Sequence, residues 1–246
     1  MQKNHKVISI IIGLLFLVTL QVFSQPQPIF RFLAPAFLIY VLAVWLYNDW
    51  FLRNLEKQNF WLQIRPMLLL VSLFGIFLLL PSQGWRSLFL IISVILITFF
   101  EYFLNNFSEH LLVNESLIII FGLFVSLAAF MHFFPGYRFI SVIGSFVVSG
   151  LIARFFYETL PKPENVKVFS SLVLGLFTAE TLWALSFLPF HFSVIALILF
   201  NIFYFSLILN YYYSLNILSL KKMQFHIVIL FLTSGAVLLS TPWRII

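Results

Sequence analysis

Long apolar runs, separated by short polar or proline-containing breaks, recur along the whole chain and constrain its fold more than any motif does. A helix needs roughly 17–25 residues to cross a bilayer, and nine runs approach or reach that length. They cover residues 7–23, 30–47, 62–80, 85–104, 116–134, 139–157, 168–188, 193–213 and 225–240. The chain is 62% hydrophobic and 9% charged, whereas soluble domains are about 45–50% apolar and about 25% charged. The sequence therefore predicts an all-α, polytopic transmembrane helix bundle over residues 1–246, with no soluble domain.

The first apolar run has two interpretations. Lys3 and Lys6, the run itself and then Val22-Phe23-Ser24 also fit a secretory signal peptide with a small residue at the cleavage position. The run is 17 residues long, however, and the apolar region of a signal peptide usually has about 7–15. We therefore predict that this run is retained as a first span, which gives nine spans rather than eight.

The distribution of Lys and Arg predicts the orientation of these spans. With the N-terminus inside, the cytoplasmic basic residues are Lys3, Lys6, Arg53, Lys57, Arg65, Arg154, Lys162, Lys167, Lys221 and Lys222, and the outer ones are Arg31, Arg86, Arg138 and Arg244. This asymmetry satisfies the positive-inside rule. It predicts a protein of the cell (inner or cytoplasmic) membrane whose C-terminus lies on the outer side. The net charge of +6 is then spread over short loops. It forms no continuous basic patch, so no nucleic-acid partner is expected.

One acidic residue, Glu180, lies within the apolar run 168–188. An ionisable side chain at bilayer depth is costly and indicates a functional site by default. On a helix, small or compact residues cluster on the side opposite Glu180: Ser171, Gly175, Thr178 and Leu182. The small side favours a close neighbour and the carboxylate must avoid lipid, so we expect both faces to be covered.

Asn201 is the predicted partner of Glu180. Each residue is eight positions from the turn between its run and the next, so each is about 12 Å deep if the two helices form a tight hairpin. Thr181 and Tyr204 are further candidates at this site. Glu180 is interpreted either as a protonated donor that links two helices or as a midplane carboxylate that binds a ligand or proton.

Three hypotheses for the function follow from these residues. The first is an uncharacterised multi-pass membrane protein that binds or transports a small solute or a proton through Glu180 and Asn201. The second is a structural or accessory membrane component with no ligand. The third is a lipid-modifying enzyme with a site around Arg154, Glu101 and Glu109. The sequence favours a protein that is not an enzyme, because few polar groups lie at depth and no catalytic motif is present.

Two other sets of residues have simpler predicted roles. Arg154, Glu158 and Glu101 fall near the inner interface, and Arg154 is too far from Glu180 to pair with it, so we predict that it anchors its helix or pairs with Glu158. The other set is a ribbon of small residues spaced four apart, which predicts close helix packing or an oligomer interface: Ser141, Ser145, Ser149 and Ala153. The expected partners are the lipid bilayer and either a second copy or another membrane protein.

No metal or cofactor is predicted from the sequence. The chain has no cysteine, and its five histidines form no HExxH pair or close ligand cluster. His132 and His191 both fall at the predicted outer surface, where a shared site is the alternative to two separate surface histidines.

The chain resembles an uncharacterised family of multi-pass bacterial integral membrane proteins. The resemblance rests on Glu180 followed by Ala184-Leu185-Ser186-Phe187-Leu188-Pro189, on the polar connection from Asn105 to Glu115 and on the C-terminal Trp243-Arg244. It implies a multi-pass helical fold and no particular activity.

Overall fold

The computed structural model describes residues 2–23, 30–54, 60–80, 82–103, 109–158, 160 and 162–240. These residues form nine α-helices, with one 3-10 turn at Pro135–Tyr137 and no strand. The helices are α1 (Gln2–Phe23), α2 (Phe30–Asn54), α3 (Phe60–Leu79), α4 (Gln83–Tyr102), α5 (Glu109–Phe133), α6 (Arg138–Glu158), α7 (Glu164–Leu185), α8 (Phe192–Ser214) and α9 (Leu220–Ser240). The predicted all-α class is confirmed. The Trp243-Arg244 tail and the side chain of Glu109 lie outside the described part of the chain.

Six of the described helices are long and apolar enough to cross a membrane. The segments that meet these criteria are Pro35–Arg53, Gln83–Tyr102, Glu115–Phe133, Pro135–Glu158 (the 3-10 turn with α6), Glu164–Leu185 and Phe192–Ser214. The apolar helical segments His5–Gln21 and Gln63–Leu79 are shorter. Length and composition thus support a membrane protein, while the count of nine spans and the orientation of the termini remain predictions.

The helix boundaries follow local sequence signals. Ser82 caps α4 by accepting a hydrogen bond from the backbone N–H of Trp85 at 3.4 Å. Pro163 stands immediately before α7, where its fixed φ and missing N–H cost the helix nothing. His191 caps α8 by accepting from the backbone N–H of Ser193. The described helices are therefore separated where the sequence supplies caps and prolines.

The chain divides into two compact units, and the first is Met1–Ile119. Its most extensive helix contact is between α1 and α4, and α2 packs on both α1 and α3. Gly13 explains how closely α1 and α4 approach, because a Cβ at this position would lie 2.5 Å from Thr98 Oγ1 and 3.2 Å from Val94 O. The core of this unit includes the fully buried Phe16, Leu20, Leu52, Leu70 and Phe77.

The second unit is Ile120–Ile246, and its closest helix pair is α6 with α7. The small-residue ribbon of α6 is fully buried: Ser141, Ser145, Ser149 and Ala153. A Cβ on Gly175 of α7 would lie 2.9 Å from Phe146 O of α6. The predicted packing surface is thus confirmed, and because it is buried within one chain it is not a free oligomer interface.

Candidate functional site

In the structure, Glu180 lies closer to the end of its helix than the sequence predicts. Helix α7 begins at Glu164 and ends at Leu185. It therefore starts four residues before the predicted run 168–188 and ends three residues before the end of that run. Glu180 is therefore five residues from the end of its helix, or about 7.5 Å. Asn201 is nine residues into α8, or about 13.5 Å. The helix bounds therefore do not support the shared depth that the sequence predicts for the two residues.

Glu180 also lies on an exposed face of α7. Its neighbours on that face are exposed as well, with Phe169 at 69% and Leu176 at 54%. The opposite face is buried, including Thr178 and Leu182. The prediction that the small side packs closely is confirmed, while the Glu180 side is not covered by the described residues of this chain. Only one side of α7 meets the rest of its unit.

Asn201 has partners other than Glu180. Its side-chain amide donates to Thr233 Oγ1 and to Ser234 Oγ, each at 2.9 Å, which links α8 to α9. The Tyr204 hydroxyl lies 3.1 Å from Nδ1 of His226, also on α9. Asn201 and Tyr204 therefore belong to the contact between α8 and α9.

Thr181 completes the predicted set of four residues. Its hydroxyl donates to the carbonyl of Phe177 at 2.7 Å, within its own helix. None of the hydrogen bonds of Asn201, Tyr204 and Thr181 described above brings them to Glu180. Ligand binding by Glu180 and Asn201 remains a prediction, without a shared geometry that supports it.

Arg154 forms an ion-pair network where α6 is followed by α7. Its Nη1 donates to Glu158 Oε2 at 2.5 Å, and its Nη2 donates to Glu164. The predicted pairing with Glu158 is confirmed, and the first residue of α7 extends it. Both acidic partners are solvent-accessible, at 42% and 66%. The network therefore joins two helix ends at a surface.

Glu101 is in a different environment, buried in the first unit. It lies next to the last residue of α4 and is only 3% exposed. The amide of Asn48, on α2, donates to Glu101 Oε1 at 3.1 Å, and Asn48 is itself fully buried. Glu101 Oε2 has no hydrogen-bond partner among the described residues. Thus Oε1 of Glu101 has a hydrogen-bond donor, and Oε2 has none among the described residues.

A second buried acid accompanies Glu101. Arg65 Nε of α3 lies 2.5 Å from Glu115 Oε2 of α5, with the side chains 5% and 1% exposed. The charges of Arg65, Glu101 and Glu115 interact with one another electrostatically. Two carboxyl groups therefore share the field of one guanidinium inside the first unit.

His5, on α1, is the remaining member of this group of buried polar residues. Its Nε2 lies 2.9 Å from the carbonyl oxygen of Glu101, and because a carbonyl only accepts, Nε2 carries the proton. Its Nδ1 lies 2.9 Å from the Tyr47 hydroxyl, and its ring stacks on Phe51 with centroids 3.8 Å apart. The imidazole is thus fixed on three sides against α2 and α4.

We call these five residues the polar cluster: His5, Asn48, Arg65, Glu101 and Glu115. They come from the start of α1, the end of α2, the start of α3, the end of α4 and the start of α5. Each is between one and six residues from that helix end, or within about 9 Å at 1.5 Å per residue. The polar cluster therefore lies at a single end of the first unit, the end that sequence predicts to be cytoplasmic.

The formal charges of the polar cluster favour one protonation state. A buried charge without compensation costs several kcal/mol, so a buried group tends toward neutrality. One guanidinium neutralises one carboxylate, and Glu115 is the one in direct contact with it. A proton on Glu101 would make the whole cluster neutral. The arrangement is thus suited to binding and releasing one proton.

Sequence reasoning identified Glu101 but not its neighbours. Arg65 and Glu115 were assigned to polar connections because they flank apolar runs, whereas the helices extend past them. Asn48 and His5 carry no motif. One sequence signal was available. When consecutive helices alternate in direction, the starts of odd-numbered helices and the ends of even-numbered helices lie on the same side of the bundle.

The described residues form an all-helical structure with six helices long and apolar enough to cross a membrane, and with a buried cluster of ionisable residues in its first unit. No protein-family model matches the chain, and neither the curated proteins nor the solved structures include a match to it. Within the described ranges, no group of three or more His, Asp or Glu side chains could hold a metal ion.

Proposed function

We propose that this chain is a multi-pass protein of the cell membrane that binds a proton at the polar cluster and transports it. The single observation that supports this is a pair of buried carboxyl groups, Glu101 and Glu115, in the field of one buried guanidinium. Ionisable residues inside membrane segments mark ion pathways and proton relays. Glu101 is the proposed proton-binding group, and Arg65 with Glu115 is the fixed ion pair beside it.

The uneven hydrogen bonding of Glu101 supports this assignment. Asn48 donates to Oε1, which suits the carbonyl oxygen of a protonated carboxyl group. Oε2 is then the oxygen that carries and releases the proton, since no described residue bonds to it. A carboxyl group held only for structure is expected to have both oxygens satisfied.

The position of the cluster supports exchange of that proton with one side of the membrane. It is within about 9 Å of five helix ends, so protons need to pass only one or two helical turns. The positive-inside distribution of Lys and Arg assigns this end to the cytoplasm. Deeper along α1 and α2, the Tyr40 hydroxyl donates to the carbonyl of Ile12 at 2.8 Å, a polar contact on the route away from that end.

The test is proton movement in vesicles. We expect reconstituted wild-type protein to acidify or alkalinise the vesicle interior when a membrane potential is imposed, as read by an enclosed pH dye. Glu101→Gln keeps the size and the acceptor oxygen for Asn48 but cannot release a proton, so its flux should fall to that of empty vesicles. Glu180→Gln is the matched control, the same change at an exposed acid, and should retain the flux. Absence of flux in the wild type, or full flux in Glu101→Gln, would contradict the proposal.

The exposed face of α7 favours a second candidate function, that of an accessory component which binds another membrane protein. Glu180, Phe169 and Leu176 lie together on that face, and an acidic group facing lipid is costly. Co-purification with wild type and with Glu180→Leu separates the two candidates, because loss of a defined partner in the variant supports the accessory function. The lipid-modifying enzyme remains untested, and in the structure Arg154 is engaged by two carboxylates.

A further inference from the structure

Two histidines meet at one end of the second unit. His132 is in the last turn of α5, and His191 is the cap that precedes α8. Their ring centroids are 5.8 Å apart, with 55° between the ring planes. Both side chains are exposed. The contact joins two helix ends that are nearly sixty residues apart in the sequence.

The separation of the rings suits a shared metal ion. Zinc lies about 2.0–2.1 Å from an imidazole nitrogen, and so roughly 3.2 Å from the ring centroid. Two imidazoles on one ion then have centroids about 5.2 Å apart at a tetrahedral angle and about 6.4 Å apart when opposed. The observed 5.8 Å falls between these limits. Because His132 is exposed, its ring can turn on a fast timescale to direct a nitrogen at the ion.

His191 is already oriented by its own helix. Its Nδ1 lies 2.8 Å from Ser193 Oγ. In the neutral tautomer that donates from Nδ1 to this hydroxyl, in place of the longer 3.4 Å contact with the Ser193 backbone N–H, Nε2 has the free lone pair that a metal needs. Histidines that bind metals commonly use their second nitrogen for such a hydrogen bond, and that bond fixes the ring. Partial burial, and then the nearby His132, lower the pKa of His191. The neutral imidazole is the form that binds metals.

We propose that His132 and His191 form a two-imidazole site for a divalent transition-metal ion, with Zn²⁺ as the reference ion. Imidazole ligands suit zinc, copper and nickel. The part of the chain that the structure describes contains no group of three or more His, Asp or Glu residues that could hold a metal. Water completes the coordination, so the site is open and exchanges its ion readily. It lies at the predicted outer end, and it is independent of the proton site.

The test is calorimetric titration of Zn²⁺ into the purified, chelator-treated full chain in detergent. We expect saturable binding of one ion per chain. His132→Ala removes one ligand from an exposed position, and His191→Asn removes the other while keeping a side chain that can cap α8. Each variant should bind zinc at least about tenfold more weakly, a loss of about 1.4 kcal/mol in binding free energy. A far-UV circular dichroism spectrum like that of the wild type shows that each variant is folded.

His226→Gln is the matched control, because His226 bonds Tyr204 on another face of α8. It should bind zinc like the wild type. The proposal is overturned by a wild-type chain that binds no zinc, by wild-type affinity in both His132→Ala and His191→Asn, or by an equal loss in His226→Gln. If one of the pair variants fails to fold, the affinity of the other decides the outcome.

Discussion

The two units differ in whether charged side chains are buried between their described helices. In the first, buried charged groups from α3, α4 and α5 meet, with Arg65 and Glu115 in direct contact. In the second, α6 and α7 approach through small residues, several of whose hydroxyls bond to the backbone of their own helix, as Thr178 does to Leu174 O at 2.7 Å. Small residues allow close packing without chemistry, whereas buried charges lower stability unless compensated. This difference is the reason that the proposed proton site is placed in the first unit.

The comparison of Glu101 with Glu180 makes the same point for single residues. Both are acids within or beside apolar runs, and from sequence Glu180 has the more unusual position. In the structure Glu101 is 3% exposed and hydrogen-bonded by Asn48, while Glu180 is exposed. The place of an acid in an apolar run therefore does not reveal whether it is buried, because burial depends on neighbours from other helices.

The largest effect is expected from removing the cation of the polar cluster. Arg65→Ala leaves the buried Glu115 carboxylate without its partner, which should destabilise the protein by about 3–5 kcal/mol. Arg154→Ala is the control in the second unit and should cost at most about 1 kcal/mol, because its partners are solvent-accessible. Unfolding of both variants in detergent, followed by circular dichroism, measures the difference. Equal losses would remove the distinction between the two units.

The next effect tests the small-residue contact of the second unit. Gly175→Ala adds a methyl group 2.9 Å from Phe146 O, and such overpacking should cost about 1–3 kcal/mol. Gly150→Ala is the matched control, because its methyl group would lie 3.6 Å from Ser171 O, an ordinary contact distance. The same unfolding measurement should show little or no loss for the control. A tolerated Gly175→Ala would show that α6 and α7 are not in close contact.

A smaller effect is expected where α8 meets α9. Asn201→Leu removes two hydrogen bonds, to Thr233 and Ser234, and interhelical bonds of this kind average about 0.6 kcal/mol each in membrane proteins. The loss should be about 1 kcal/mol, and it should be unchanged when Glu180→Gln is combined with it. Non-additive losses in the double variant would instead indicate that Glu180 and Asn201 interact, as the sequence predicted.

The sequence predicts what depends on local pattern. Helical class, the ribbon at Ser141 and Ser145, and the pairing of Arg154 with Glu158 all follow from spacing within one helix, and the structure confirms them. The predicted Glu180–Asn201 pair depends on where the two helices end. An error of three or four residues in a helix end displaces a side chain by about 5 Å along the helix axis. The polar cluster depends on how five helix ends meet, which no local pattern contains.

The most direct test of the central claim is the protonation of Glu101 itself. Infrared spectra of the protein across a pH titration resolve the stretch of a protonated carboxyl group, which ionised acids lack. We predict that the wild type and Glu180→Gln show this band at neutral pH, and that Glu101→Gln has lost it. A wild type without the band, or a Glu101→Gln variant that keeps it unchanged, would contradict a proton bound at the polar cluster.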